Sequence, residues 1–548
     1  MKKILTLLLI VSVSIMVVSC DNSSTTETQT YITDTLVDSE LENVDFEDGY
    51  YEDYLEEAYT VLDGFSESYE ITEEGIYVLT GTILQTITIN VGEDDDVRLI
   101  LDDVTIQTSE NACIMVLSAD DITISAPENT INQLTDSSNY SADNTEYNAV
   151  IYSESDLLIN GLGQINIDAN YNNAIVSKDD LMLVDITLVI ETVDDGIIGR
   201  DSLLVQNANI SIDAVGDALK STNEEKSEEG YIYIESGSFT LTSNSDGLDA
   251  VNFIVITGGE FDIEAYDQGI NSNTNIYITG GTLSIDSNDD AINANSLVEI
   301  SGGTITINTN DDGIKGNEAV VISGGTILIQ SSYEGIESTS ITISGGTITV
   351  YSTDDGINAA DGSTDGSPIS LNTDNILTIT GGLIKVFSNS DAIDVNGSIY
   401  MNGGELFVYG TISDRNSALD YDNEFIMSNG TLVAVGATGM TLPPSDSSTQ
   451  ASVMVLLNDY VSVGDTLLLK DSNGDVIFSF EIEKSNNNIV ISTENIVQGE
   501  TYTIEVDSLF EVNFKSNDIV TYIDEYGYTT YEPMIPGVVP GPGDGPRR

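Results

Sequence analysis

Paired acids return at a fixed interval in this chain. Asp289-Asp290 is followed 22 residues later by Asp311-Asp312, with Asp354-Asp355 further on and Asp194-Asp195 earlier. Each pair is followed by Gly or Ala and then Ile, in the phrases DDGI and DDAI. Asn293 and Asn358 stand two places beyond that Gly or Ala. Carboxylates, side-chain amides and turn carbonyls form an oxygen-only donor set, which suits calcium with its six to eight oxygen ligands. The chain has no His, so zinc is disfavoured.

The positions of these acids follow from a repeat that spans Ile254 to Val350. IVITGGEFDIEAYDQGIN, IYITGGTLSIDSNDDAIN, VEISGGTITINTNDDGIK, VVISGGTILIQSSYEGIE and ITISGGTITVYSTDDGIN differ only in detail. The first Gly of each Gly-Gly pair falls at Gly258, Gly280, Gly302, Gly324 and Gly345. A sustained period of this length signals a solenoid. Within each repeat, two apolar sets alternate with polar residues and read as half-buried strands. Gly-Gly separates them, and the Asp turn precedes a third short strand beginning at Ile270, Ile292, Ile314, Ile336 or Ile357. Three strands and about 22 residues per coil predict an all-β fold, a right-handed parallel β-helix.

In-register stacking turns each repeat position into a column. Before the turn Gly or Ala, one column reads Asn173, Asp195, Asp217, Asp246, Gln268, Asp290, Asp312, Glu334, Asp355, Asp391, Ser417. Carboxylates about 4.8 Å apart repel by about 0.9 kcal/mol in water and by roughly 3–4 kcal/mol at an effective dielectric of 20. Protonation, interleaved lysines or bound cations could relieve the column. Lys220 and Lys315 supply a little of the second remedy, and calcium fits the rest. The densest candidate site is Asp289/Asp290 with Asp311/Asp312 and Asn293. The second is Asp354/Asp355 with Asn358, and the third is Asp194/Asp195 with Asp217. Good turn formation accounts for one Asp per coil but not for Asp-Asp on neighbouring coils. Tyr171, Tyr266 and Tyr333 flank the ladder and are the candidate sugar-stacking residues, since the chain has no Trp.

Taken in order, residues 1–20 read as an export signal, with Lys2-Lys3, an apolar run and Val17-Val18-Ser19-Cys20. The last four resemble a bacterial lipobox, which makes Cys20 the expected lipidation site and its lipid the only expected membrane contact. Residues 21–63 read as an acidic, disordered tether, 64–430 as the β-helix and 431–532 as a small antiparallel β cap with SNGD as a hairpin turn. Residues 533–548 form a Pro/Gly-rich tail, and 129–148 read as a loop. Extra residues in TNEEKSEEG and AADGSTDGSPISLNTD are loops added to single coils. Cys113 lies in an apolar strand and is expected to be buried and inert. With 15 Lys and Arg against 92 Asp and Glu, a net charge of −77 excludes nucleic acid as a partner.

The run from Asp156 to Ala250, with AIVSKDDL, DDGIIGRDS and GYIYIESG, resembles the carbohydrate-binding-domain proteins of clostridia and their relatives. That resemblance extends from about Tyr69 to Val506. It implies an extracellular β-helix of pectate-lyase-like fold that carries calcium and binds cellulose or acidic sugars such as polygalacturonate. The expected activity is calcium-dependent polysaccharide binding by a non-catalytic, surface-anchored monomer. Two alternatives stand beside it. A pectate-type lyase would need calcium and a strong base, for which Arg200, Lys220, Lys315 and Arg415 are nearest the ladder. A structural adhesin would need neither.

Overall fold

Alternation of Ile with Thr, Ser and Asp produces strands that bury every second side chain. In Thr282–Ser287, Leu283, Ile285 and Ser287 point inward while Thr282, Ser284 and Asp286 face out. The structure, a computed structural model, describes residues 55, 57–142, 145–360, 375–413, 415–507 and 509–530. The chain divides into Met1–Gly49 and Tyr50–Arg548, and every described residue belongs to the second unit. The expected export signal, Cys20, most of the tether, the inserted loop 361–374 and the tail lie outside the described residues.

Each regular coil carries three strands. Asn275–Ile278, Thr282–Ser287 and Ile292–Ala294 make one coil. They pair in parallel with Leu297–Ile300, Thr304–Thr309 and Ile314–Ile322 of the next. Like residues stack on like: Ile270, Ile292, Ile314, Ile336 and Ile357 are register partners in succession, all fully buried. These stacks form one continuous apolar core from Leu62 to Val490. The fold is the parallel β-helix that the period predicts.

The Gly-Gly corner is required by the close approach of successive coils. A Cβ on Gly302 would lie 2.1 Å from the carbonyl oxygen of Thr279, and Gly303 has φ +85°. No L side chain is comfortable at either place.

Two boundaries differ from the sequence reading. Tyr59–Asp63, expected in the tether, is a strand parallel to Gly75–Thr80, with Leu62 in the core. Within the expected 129–148 loop, Ile131–Thr135 is a strand joined to Thr105–Gln107 and Gln164–Ala169. Its inward residues are Asn132 and Leu134. The Asn132 amide is fully buried and accepts a hydrogen bond from the Val104 N–H at 3.0 Å, so a polar residue fills an apolar position.

At the far end, Glu424–Gly436 pairs antiparallel with Asn486–Ser492, ending the parallel stack. A four-stranded antiparallel sheet of Val476–Glu481, Thr466–Lys470, Thr501–Val506 and Phe510–Lys515 completes the cap. Its apolar cluster takes in Tyr409 and packs against Phe387 and Phe407 on the outer face of the last coils. The SNGD hairpin forms with Gly474 at φ +88°, and Asp471 accepts backbone hydrogen bonds from Asn473 and Asp475.

Core stacking sets a testable contrast on one strand. Ile307→Ala should lower the free energy of unfolding in urea by about 2–5 kcal/mol. Thr304→Ala, at an exposed position of the same strand, should change it by no more than about 0.5 kcal/mol.

Candidate functional site

The acidic corner lies between the second and third strands of each coil. A buried Ser or Thr ends the second strand and caps the turn. Ser287 donates to the Asp289 carbonyl at 2.9 Å, and Thr309 makes the equivalent bond back to the same carbonyl while accepting the Asp311 N–H at 3.3 Å. The Asp immediately before the turn Gly or Ala then points along the helix axis.

That inner column is a hydrogen-bonded ladder. The Asp195 carboxylate accepts the Asp217 N–H at 2.8 Å, Asp217 accepts that of Asp246 at 2.9 Å, and Asp246 accepts that of Gln268 at 2.9 Å. Asp290 accepts the Asp312 N–H at 3.0 Å, Asp355 accepts that of Asp391 at 3.0 Å, and Asp391 accepts that of Ser417. Each of these aspartates therefore spends one carboxylate oxygen on the backbone of the next coil. This remedy was absent from the sequence reading, because it depends on where each amide points.

The second oxygen faces the third strand, where the outward column runs Lys220, Asp249, Asn271, Asn293, Lys315, Glu337, Asn358, Asp394 and Asp420. What stands opposite decides the character of each level. Lys220 lies 2.5 Å from Asp217 and 3.5 Å from Asp195. The third candidate group, Asp194/Asp195/Asp217, thus already holds a cation, and Asp194 is bonded to Asn172.

The first candidate group is divided. Asp289, Asp290 and Asp311 place carboxylate oxygens within 4.8 Å of one another, whereas Asp312 converges with Glu334 and Glu337. Lys315 sits in that second cluster, 2.7 Å from Asp312 and 2.8 Å from Glu337. Asn293 donates its amide to the Asn271 side chain at 3.1 Å, on the preceding coil.

The second candidate group proves larger than Asp354, Asp355 and Asn358. Asn358 donates to Glu334 at 2.8 Å on the preceding coil, so its carbonyl oxygen turns toward the following coil. There its register partner is Asp394, followed by Asp420. The Asn358 oxygen is buried and has no hydrogen-bond partner. Among the described residues, no Lys or Arg pairs with Asp391, Asp394 or Asp420. Burial, then the charges of Asp355 and Asp420, pushes the Asp394 carboxyl up to about 8. Burial and Asp355 likewise push Asp391 to about 7. An orphaned amide oxygen beside carboxylates without a cationic partner has the donor chemistry a hard divalent cation takes, while the carboxylates that converge within 4.8 Å among the described residues lie at other levels. Asp354 is drawn aside to Tyr333, whose phenol is pushed up to about 12 by that hydrogen bond and charge.

Sequence reading missed a second acidic corner, before the first strand of the early coils. Asp156, Asp179 and Asp180 form one cluster there, and Asp96, Asp120 and Asp121 another. The signal was present in ADDI, ESDL and KDDL, but irregular coil lengths hid the register that stacks Asp121 on Asp156.

The three tyrosines do not converge. Tyr171 stacks on Tyr140 at 4.0 Å, which covers one ring face. Tyr266 is 68% exposed and Tyr333 47%. Four coils separate Tyr171 from Tyr266 and three more separate Tyr266 from Tyr333, roughly 19 Å and 14 Å at the strand spacing. Only an extended ligand could touch more than one.

Two stretches, residues 66–313 and 265–414, match the family model of carbohydrate-binding domain-containing proteins. The chain belongs to that family. A curated family member from Acetivibrio thermocellus is 33% identical over 129 residues, which is 22% of this chain and 45% of that protein. The chain therefore spans less than half the length of that relative. A solved polysaccharide lyase-like protein from C. thermocellum, a gadolinium derivative, is 28% identical and matches 38% of this chain and 90% of that one, with a TM-score of 0.36. For this family member, the ladder is the feature in which fold and chemistry meet.

The raised carboxyls define a pH response. Their folded values lie above the ordinary range, so the native state binds more protons than the unfolded chain. The contribution of these carboxyls to the stability of the metal-free protein is then fully present below about pH 4 and is lost as pH rises through about 7 to 8. In EDTA, the melting temperature should fall between pH 5 and pH 8.5, and Asp394→Asn should raise it at pH 8.5. A flat profile with no effect of the substitution would contradict the assignment.

Proposed function

We propose that this protein binds extracellular polysaccharide in a calcium-dependent, non-catalytic manner, held at the bacterial surface through lipidated Cys20. Cellulose and polygalacturonate are the ligand classes. Membership of the carbohydrate-binding family supports the partner. The buried, unpartnered Asn358 oxygen facing Asp394 carries the calcium reading. Asp355, Asp391 and Asp394 would supply the surrounding oxygens, with Asp289, Asp290 and Asp311 as a second, more open site whose Asp290 lies 3.9 Å from Lys315. Calcium relieves the column and, at the open site, lends a positive charge to a surface that would otherwise repel uronate.

The lysines argue against lyase chemistry. Burial alone would lower the Lys315 ammonium, but its bonds to Asp312 and Glu337 hold it above its ordinary value, and Lys220 is held up in the same way by Asp217. A general base must shed its proton near neutral pH. These two retain theirs.

The deciding experiment is pull-down of the purified protein on cellulose and on polygalacturonate, with calcium and with EDTA, while absorbance of unsaturated product is followed. Calcium-dependent retention without absorbance growth is expected. Absorbance that grows with calcium would establish a lyase, and failure to be retained on any glycan would leave the adhesin. Calcium should also raise the melting temperature, by the equivalent of about 2.7 kcal/mol at a hundredfold excess over its dissociation constant. The rise should be larger at pH 8.5 than at pH 5, where protons compete for the same oxygens. A melting temperature indifferent to both calcium and EDTA would overturn the metal site.

A further inference from the structure

The outward column of the third face changes character toward the N-terminal end. Where later coils place Asp, Asn, Lys or Glu, the earlier register positions are Tyr152, Val176 and Ile198, followed by Lys220. Val176 and Tyr152 belong to a small apolar cluster against which Ile198 packs, on the outside of the helix and separate from its core. One place further round, Lys178 and Arg200 occupy successive coils. The result is a hollow of about 110 Å3 lined by Val176 and Ile198, by Lys178, Arg200 and Lys220, and by Asn173 and Asp195, the last of these already paired with Lys220.

Three cationic side chains at one hollow are unusual in a chain with 15 Lys and Arg in 548 residues. Their partners differ. Lys220 is committed to Asp217 and Asp195. Arg200 is braced by Asp201 at 3.1 Å and by Glu225 of the inserted loop at 3.5 Å. Lys178 is exposed, has no ion pair among the described residues, and lies 5.9 Å from the Tyr152 ring centre. One ammonium therefore remains available for an anion, beside a guanidinium whose orientation its acidic neighbours set. The hollow is well below the ~300–1,000 Å3 of pockets that enclose a whole ligand. It can take the edge of one ring but not an oligosaccharide.

We propose that this hollow seats the carboxylate of a single acidic sugar residue directly, without calcium, with Lys178 and Arg200 as the anion contacts and Val176 and Ile198 against the ring. The proposal rests on the polysaccharide-binding reading, and it adds a second, metal-independent mode of contact far from the Asn358 site. The inserted loop Thr222–Gly230 borders the hollow through Thr222 and Glu225, as a specificity element would.

The test uses the full chain in EDTA and the galacturonic acid trimer as probe, with the neutral cellulose trimer as comparison, by titration calorimetry. Binding of the acidic trimer alone is expected. Lys178→Ala should weaken it at least tenfold and Lys178→Arg by less than threefold, and affinity should fall as salt screens the contacts. Lys178 is exposed, so neither variant should disturb folding, which unchanged melting would verify. Equal binding of the neutral trimer, no binding in EDTA, or indifference to Lys178→Ala would each overturn the proposal. Pull-down in calcium, run in parallel, separates the two ideas. Calcium-dependent retention by the unsubstituted protein with no trimer binding in EDTA would remove the hollow and leave the calcium reading intact. Trimer binding in EDTA with retention indifferent to calcium would do the reverse.

Discussion

Parallel pairing of like with like at the strand spacing is the constraint on which everything else depends. It converts each residue of a 22-residue phrase into a column running along the molecule. For isoleucine the consequence is favourable, since identical side chains nest and bury continuous apolar surface. For aspartate it is costly, since like charges are brought to the same short spacing. The same geometry builds the core and creates the electrostatic problem of the turn corner.

The protein solves that problem level by level. One oxygen of each inner aspartate accepts a backbone N–H from the next coil, as in the bond from Asp246 to Asp217. The other oxygen meets Lys220, Asn271 or Lys315 on the third strand where such residues are present. Around Asp391, Asp394 and Asp420 no such partner stands among the described residues, and there burial drives the carboxyls toward their neutral forms. Local composition of a single column therefore separates structural levels of the ladder from levels suited to a cation. A charge count over the whole chain could not draw that distinction.

The third face shows the same principle applied to recognition. Its outward column passes from Tyr152, Val176 and Ile198, through Lys220, to acids and amides. The stack of coils thus presents chemically different surfaces from one level to the next while keeping one backbone geometry. The tyrosines nominated from sequence lie too many coils apart to form one pocket. The hollow beside Lys178 instead joins Arg200 and Lys220, noted in the sequence as candidate bases, to Val176 and Ile198, which were given no role there.

Much of this was legible in the residues alone. The period, the Gly-Gly corners, the inward isoleucines and the membership of each acidic column follow from spacing, because a regular repeat has only one register that stacks like on like. The cap and its SNGD turn also follow from local pattern. Register in the early coils did not, since intervals such as that between Asp121 and Asp156 are irregular, and so the second acidic corner and the Ile131–Thr135 strand went unseen. Nor could spacing show which oxygen a carboxylate spends on the backbone, that Lys315 fills the cluster of Asp312 and Glu337, or that the Asn358 oxygen is left over. Those are matters of side-chain direction across neighbouring coils. The sequence by itself determined which residues share a column, and only the tertiary structure decided which members of that column are already satisfied.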